Sequence, residues 1–159
     1  MSSPDSVEDL DWEYEPYYPT NVEVPQIVKD FIKIFFKTSD TPGATDEWTA
    51  HFHDDAVLVM GKSKAYRKDE IRKLRVGMWD KVEARKHRVR KLFASNFTEE
   101  EESKTTLECM MFGDVQYRLK MGERVQVDWA AHAKLEKRES SCSELPPWGF
   151  KYYRVFLQT

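Results

Sequence analysis

Residues 51–74 read HFHDDAVLVMGKSKAYRKDEIRKL, and the fold turns on how this stretch is read. A polar cluster of His51, His53, Asp54 and Asp55 gives way at 56–60 to an apolar run of strand length. Residues 61–66 form a turn-rich connection. Lys68, Asp69 and Glu70 then open a helix with acids in its first turn, where the helix dipole favours them. The apolar positions of that helix are Ile71, Leu74, Met78 and Val82, with Arg75 and Trp79 flanking them. The polar cluster invites a metal reading, but side chains two apart at a helix end diverge. No second cluster completes a four-ligand site, so no metal is expected. The four residues mark a helix end and the start of a strand, with both aspartates in the turn.

The pattern extends outward from there. Upstream, Pro25 opens a helix, a position that tolerates proline. Ile27, Val28, Phe31, Ile32, Ile34, Phe35 and Phe36 give it a broad apolar face, and Thr41-Pro42-Gly43 breaks it. A shorter helix over 45–52 brings Trp48 and Phe52 to one side. Downstream, strands are expected over 86–97, 105–120, 124–137 and 149–157. A glutamate-rich turn, a hairpin at Met121-Gly122-Glu123 and a polar loop over 140–147 separate them. The order α-α-β-α-β-β-β-β predicts an α+β fold, with three N-terminal helices on one face of a curved antiparallel sheet. Such a sheet encloses a cone, and cone mouths are frequent ligand sites. Residues 1–22 carry six acids, no base, and Trp12, Tyr14, Tyr17 and Tyr18. They read as a disordered acidic tail, or as an arm whose aromatics pack on the domain or cover a pocket. Residues 23–159 read as a single domain.

Composition bounds the function. The 159 residues are 40% hydrophobic and 33% charged, the profile of a soluble globular domain. No apolar run approaches the roughly 18 residues of a membrane span, and no secretory signal pattern opens the chain. Cys109 and Cys142 make no framework, so a reducing, cytoplasmic setting is expected. The net charge of −3 argues against a general polyanion binder. A basic run, Lys81, Arg85, Lys86, Arg88, Arg90 and Lys91, comes without the aromatic or zinc-binding patterns of nucleic-acid modules, and the glutamates of 99–102 can neutralise it. Nucleic acid is not an expected partner.

The sequence resembles the NTF2-like superfamily, in particular its SnoaL-like branch, over about residues 25–158. The long first helix, the phrase at 51–74, and the strands KHRVRKLF, MMFGDVQYRLKMGERVQVDWAAHAKLEK and YYRVFL carry the resemblance. It is nearest in flavour to small SnoaL-like proteins of fungi, and it implies a cone-shaped α+β barrel. Function is less constrained, because this fold hosts isomerases, dehydratases, cyclases, hydrolases and inactive adaptors. Ketosteroid isomerase, in the same superfamily, uses an aspartate base with a tyrosine and a protonated aspartate as oxyanion donors. The resemblance places those groups at Met60, Phe31 and Ala131, all apolar here, so that mechanism cannot run. Scytalone dehydratase, another relative, uses pocket histidines and tyrosines. The resemblance places its first histidine at His87 and its second near Tyr117, while one of its tyrosines falls at Met60 and is missing.

Strand parity sorts the remaining candidates. Val125, Val127, Trp129, Ala131, Ala133 and Leu135 share one face, and Leu107, Cys109, Met111, Val115, Tyr117 and Leu119 share another. Both are expected to line the cone. The face of His87 carries Val89 and Phe93, opposite Arg88 and Arg90. His87 is the leading catalytic candidate, since an unperturbed imidazole with a pKa of about 6.5 can take or give a proton at neutral pH. Tyr117 would serve a substrate oxygen. Phe31, Met60, Trp79, Met111, Trp129 and Ala131 would be the apolar walls. Asp128 and His132 lie on the convex face with Met110, Phe112 and Ala130, too apolar a set for a solvated surface, which motivates a homodimer. Two functions are open. One is a cofactor-free enzyme of small-molecule metabolism, secondary metabolism included, that isomerises, dehydrates or cyclises a largely apolar metabolite. The other is a non-catalytic ligand-binding or interaction protein on the same scaffold.

Overall fold

The computed structural model describes residues 14–97, 99, 101, 104–139 and 144–158. Helix α1 (Gln26–Ser39) follows Pro25 and buries Val28, Phe31, Ile32, Phe35 and Phe36 along one side. Helix α2 (Thr45–Thr49), strands β1 (Phe52–Met60) and β2 (Ser63–Tyr66), and helix α3 (Arg67–Gly77) come next. Strands β3 (Val82–Ser95), β4 (Thr106–Leu119), β5 (Arg124–Lys137) and β6 (Trp148–Leu157) complete the order. All six strands form one sheet in the order β2-β1-β6-β5-β4-β3. Every neighbouring pair is antiparallel except β1 and β6, which run parallel. The α+β architecture is the one expected, but the sheet is mixed rather than antiparallel, because β1 and β6 pair in parallel. Among the described residues no helix is long and apolar enough to cross a membrane.

The opening stretch and its flanks fold with four corrections. Helix α2 stops at Thr49, and Phe52 already belongs to β1. Asp54 and Asp55 therefore lie within the strand, where the β1–β6 register shifts between Phe52 and Val57. The shift allows a short polar segment inside a strand that is otherwise half-buried. Residues 63–66 form the outer strand of a hairpin, turned by Gly61 at φ +59°, rather than a loop. Val82 begins β3 instead of closing α3, which ends at Gly77. Glycine is a poor helix former, and it marks the exit.

Aromatic rings fill the core. Phe35 packs against Phe36, Trp48, Phe52, Phe150 and Tyr153, with centroids 4.8–6.0 Å apart. Leu92, Ala94, Cys109, Met111, Ala131 and Ala133 are all buried along the inner face of the sheet. Strand β3 changes parity on the way, because its pairing with β4 shifts between Val89 and Lys91. Arg85 and Val89 are buried before the bulge, Leu92 and Ala94 after it, and Phe93 is 54% exposed. Phe93 is therefore not on the face of His87, because the bulge inserts one residue between them. Gly113 lies opposite Val89. A Cβ there would collide with the Arg88 carbonyl oxygen and sit 3.2 Å from Cζ2 of Trp129, so the close strand approach admits only glycine.

The free edge of β3 is covered by the N-terminal segment. Tyr17 donates its N–H to the Arg90 carbonyl at 2.9 Å, and Leu92 donates to the Tyr17 carbonyl at 3.1 Å. Satisfying these edge groups suppresses strand addition by another chain. Tyr14 is only 2% exposed. The reading of Trp12 and of the acidic residues before Tyr14 lies outside the described residues.

Candidate active site

Helix α1 ends where Thr41-Pro42-Gly43 forbids its continuation, since a residue before proline is pushed out of helical geometry. Asp40 is the C-cap of that helix. Its position is electrostatically awkward, because a carboxylate at a helix C-terminus faces the negative end of the dipole. Three donors converge on it. Oδ1 lies 2.6 Å from His87 Nδ1, and Oδ2 accepts the His87 N–H at 2.7 Å and the Tyr14 hydroxyl at 2.9 Å. The Asp40 side chain is 5% exposed and that of His87 17%. The carboxylate thus fixes the ring and its tautomer: Nδ1–H donates to Asp40, and Nε2 keeps a free lone pair.

The ring of His87 is walled by aromatics. Phe36 lies 5.3 Å away and Trp129 5.8 Å away, edge-on, and these two stack on each other at 5.3 Å. Two residues before His87 on the same face of β3 is Arg85, which is 8% exposed. Its guanidinium lies 4.7 Å from the ring of Trp79 and 5.2 Å from that of Tyr117, its partner on β4. Nη2 donates to the Met78 carbonyl at 2.9 Å. Burial raises the pKa of the Tyr117 phenol, and the adjacent guanidinium opposes the rise.

Arg75 supports this arrangement from behind. Expected to flank α3, it is fully buried, because α1 leaves carbonyls that need donors. Nη1 donates to Ser39 O at 2.8 Å, and Nη2 to Thr41 O at 2.9 Å and Thr38 O at 3.2 Å. Its guanidinium also stands over the rings of Trp48 and Trp79. Desolvation lowers its pKa to about 10. This clamp holds the backbone on both sides of Asp40.

The structure brings some expected residues together and separates others. His87 and Trp129 share one cluster, and Tyr117 and Trp79 gather around Arg85 beside it. Met60 is half-buried against the core. Phe31, Met111 and Ala131 are in the closed core, with Phe31 edge-on to His51 and Phe150. Sequence reasoning did not single out Asp40, and it named Tyr14 only among the aromatics of an arm that could pack on the domain. The one available signal for Asp40 was an acid at a helix C-terminus, an unfavourable placement that asks for compensation. Arg85 was read only as part of a basic run, yet it shares the inward parity of His87, while Arg90 points outward and pairs with Asp114 at 2.9 Å.

The polar cluster of 51–55 has structural partners. His51 is 4% exposed, with Nδ1 2.9 Å from the Glu47 carbonyl, and His53 Nε2 lies 2.8 Å from the Glu136 carbonyl. Desolvation lowers the pKa of both rings. Asp55 pairs with Lys151 at 2.9 Å. Among the described residues no group of three or more His, Cys, Asp or Glu could hold a metal. Cys109 is buried and unpaired, with its thiol pushed up to about 12 by burial, and Cys142 lies outside the described residues. On the convex face, Met110 and Phe112 are 45% and 39% exposed. Asp128 is exposed, and His132 Nε2 lies 2.6 Å from Glu108.

A curved sheet wrapped on three helices, with ionisable groups on its inner face, defines the NTF2-like, or cystatin-like, class of α+β cones, and this chain has that fold. No family model matches the sequence, and no curated protein does. Solved structures match closely in shape. A candidate scytalone dehydratase from Novosphingobium aromaticivorans superposes with a TM-score of 0.68 at 13% identity, over 84% of this chain and 83% of that one. A hexachlorocyclohexane dehydrochlorinase, LinA-type3, from Novosphingobium barchaimii gives 0.63 at 12% identity, over 84% and 86%. ActVI-ORFA from Streptomyces coelicolor gives 0.65 at 11% identity, over 84% and 96%. At these identities the likeness establishes the fold.

Proposed function

We propose that the protein is a cofactor-free enzyme of small-molecule metabolism that removes a proton from a carbon acid held in the cone, most simply a dehydratase or related lyase. The observation that carries this reading is the Asp40–His87 pair, which leaves Nε2 of a partly buried imidazole free beside an aromatic wall. His87 takes a proton from a carbon next to a carbonyl. The C–H electron pair becomes the new C=C bond, and the group on the neighbouring carbon leaves with its own pair. When that group is hydroxide, the imidazolium returns the proton and water departs, so substrate yields alkene and water. The Asp40 carboxylate holds the ring and stabilises the imidazolium. Two structural neighbours carry names of elimination enzymes, a dehydratase and a dehydrochlorinase, which supports the class without fixing the substrate.

The test is a panel of β-hydroxy ketones followed by loss of water and by deuterium incorporation from solvent. His87→Gln should slow both by roughly 10²–10⁴, the usual contribution of one general base. Unchanged rates in that variant would leave the scaffold as the non-catalytic binding protein. The apolar residues at Phe31, Met60 and Ala131 favour that alternative, since they rule out the isomerase-type constellation.

We further propose a homodimer through the convex face. Phe93, Met110, Phe112 and Phe156 are all at least 39% exposed there, and Phe93 stacks on Phe112. An open groove of about 690 Å³ runs past Phe112, Asp128, Ala130 and Phe156. Sedimentation at micromolar concentrations should give twice the chain mass; a single-chain mass would remove the dimer.

A further inference from the structure

Arg85 carries more hydrogen-bonding capacity than the fold uses. The guanidinium donates through Nη2 to the Met78 carbonyl and is hydrogen-bonded to the Tyr117 hydroxyl, while Nε and Nη1 are buried with no acceptor. The indole N–H groups of Trp79 and Trp129 are buried without partners as well. Native interiors rarely leave such donors unmet, and clusters of them ask for an acceptor. These donors belong to the residues around His87: Trp129 is edge-on to its ring, Trp79 lies against Arg85, and Arg85 precedes His87 by one same-face step on β3. The charges point the same way. Arg75 and Arg85 are both buried guanidiniums, and the carboxylate that acts on both is Asp40, whose hydrogen bonds go to His87 and Tyr14. Asp114, the other buried carboxylate among the described residues, is held by Arg90 on the opposite face.

We propose that Arg85 anchors an anionic oxygen of the ligand, so that the substrate is an apolar, aromatic-sized carboxylate or an equivalent stabilised oxyanion rather than a neutral hydrocarbon-like molecule. This rests on the reading of His87 as the base and narrows its substrate. Same-face positions on a strand are roughly 7 Å apart. The anion on Arg85 thus leaves the reacting carbon, a few bonds away, beside Nε2. The guanidinium is buried beside the rings of Trp79 and Tyr117, and exclusion of water there strengthens its hydrogen bonds to an anion.

The probe is 2-naphthoate, compared with its neutral isostere 2-naphthamide, titrated into the full chain by calorimetry and by ¹H–¹⁵N spectra of the arginine Nε–H and indole N–H groups. Naphthoate should bind at least tenfold more tightly than naphthamide, the difference expected of one charge-assisted contact. It should move the Arg85 Nε–H and the Trp79 and Trp129 indole signals. Arg85→Gln should erase the preference while leaving naphthamide binding in place, and Arg85→Lys should restore part of it. If Arg85→Gln fails to fold, the wild-type spectra and the naphthamide comparison still decide. Equal affinity for the two probes, no binding of naphthoate, or shifts confined to residues outside this cluster would each overturn the proposal. Naphthoate can bind at Arg85 whether or not His87 performs chemistry. Loss of the binding preference and loss of His87-dependent turnover are therefore separate results.

Discussion

Replacing Asp40 with alanine tests the centre of the site directly. The carboxylate accepts from His87 N–H, His87 Nδ1 and the Tyr14 hydroxyl at 2.7, 2.6 and 2.9 Å, on a side chain 5% exposed. Stranding one buried donor costs about 1–3 kcal/mol. The vacated carboxylate volume can admit a water that serves some of the three. The sum is therefore expected near the lower bound, about 3 kcal/mol. Asp40→Asn keeps the shape and one acceptor oxygen but turns an amide donor toward the remaining donors, so about 1–3 kcal/mol is expected. Tyr14→Phe removes only the hydroxyl bond and should cost about 1 kcal/mol. Urea unfolding followed by tryptophan fluorescence measures all three, with m unchanged if the transition stays two-state. A loss below about 0.5 kcal/mol for Asp40→Ala, the range of an ordinary surface change, would refute the reasoning. The hydrogen bonds would then be solvent-compensated, and Asp40 would not be what holds His87.

Gly113→Ala should destabilise by about 3 kcal/mol, because the new Cβ meets the backbone of Arg88 and the indole of Trp129; urea midpoints within error of wild type would show that the two strands can separate freely. Arg75→Met removes three hydrogen bonds to the end of α1 and should cost at least about 3 kcal/mol, with Arg75→Lys recovering only a fraction, since an ammonium cannot span the three carbonyls. The depressed pKa values of His51 and His53 make stability depend on pH. Below the unfolded value of about 6.5 the unfolded chain binds more protons than the folded one, so stability is full above that pH and falls as pH drops toward the folded values. His51→Gln should flatten the slope between about pH 6.5 and 5; an unaltered slope would exonerate His51.

The strands and helices were legible because periodicity reports burial, and burial here follows simple faces. Helix α1 and strands β4 and β5 emerge nearly as read. What escaped was set by exceptions to periodicity. The bulge in β3 turned Phe93 outward, and no residue at 89–91 announces a shift of register. Gly113 marks it only from the facing strand. Arg75 and Arg85 looked like surface charges because isolated guanidiniums are rarely buried. Their burial depends on carbonyls at Thr38, Ser39, Thr41 and Met78, which belong to helix ends distant in sequence. His87 could be singled out because a family pattern and parity agreed on it. Its partner could not, because 47 positions separate Asp40 from His87 and only the tertiary fold closes that gap.

The placement of Asp40 also explains why the site carries so much positive charge. A carboxylate at the end of α1 opposes the helix dipole, and burial adds a desolvation cost. Arg75 offsets the first by satisfying the same helix terminus, so it cannot be removed without exposing the carboxylate to an uncapped end. Arg85 is not needed for that purpose, since its contacts are the Met78 carbonyl, the Tyr117 hydroxyl and the rings of Trp79 and Tyr117, none of them on α1. A second buried cation without a structural carboxylate of its own is costly to keep. Its retention makes sense when a ligand returns that cost, as an anion on Nε and Nη1 would. On this argument Arg85→Met, a swap of similar length with no charge, should leave the free protein no less stable, or raise its stability, while weakening anion binding. Arg75→Met, by contrast, should destabilise the free protein. If both variants destabilise it equally, Arg85 is a structural clamp like Arg75, and the division of labour between the two guanidiniums is refuted.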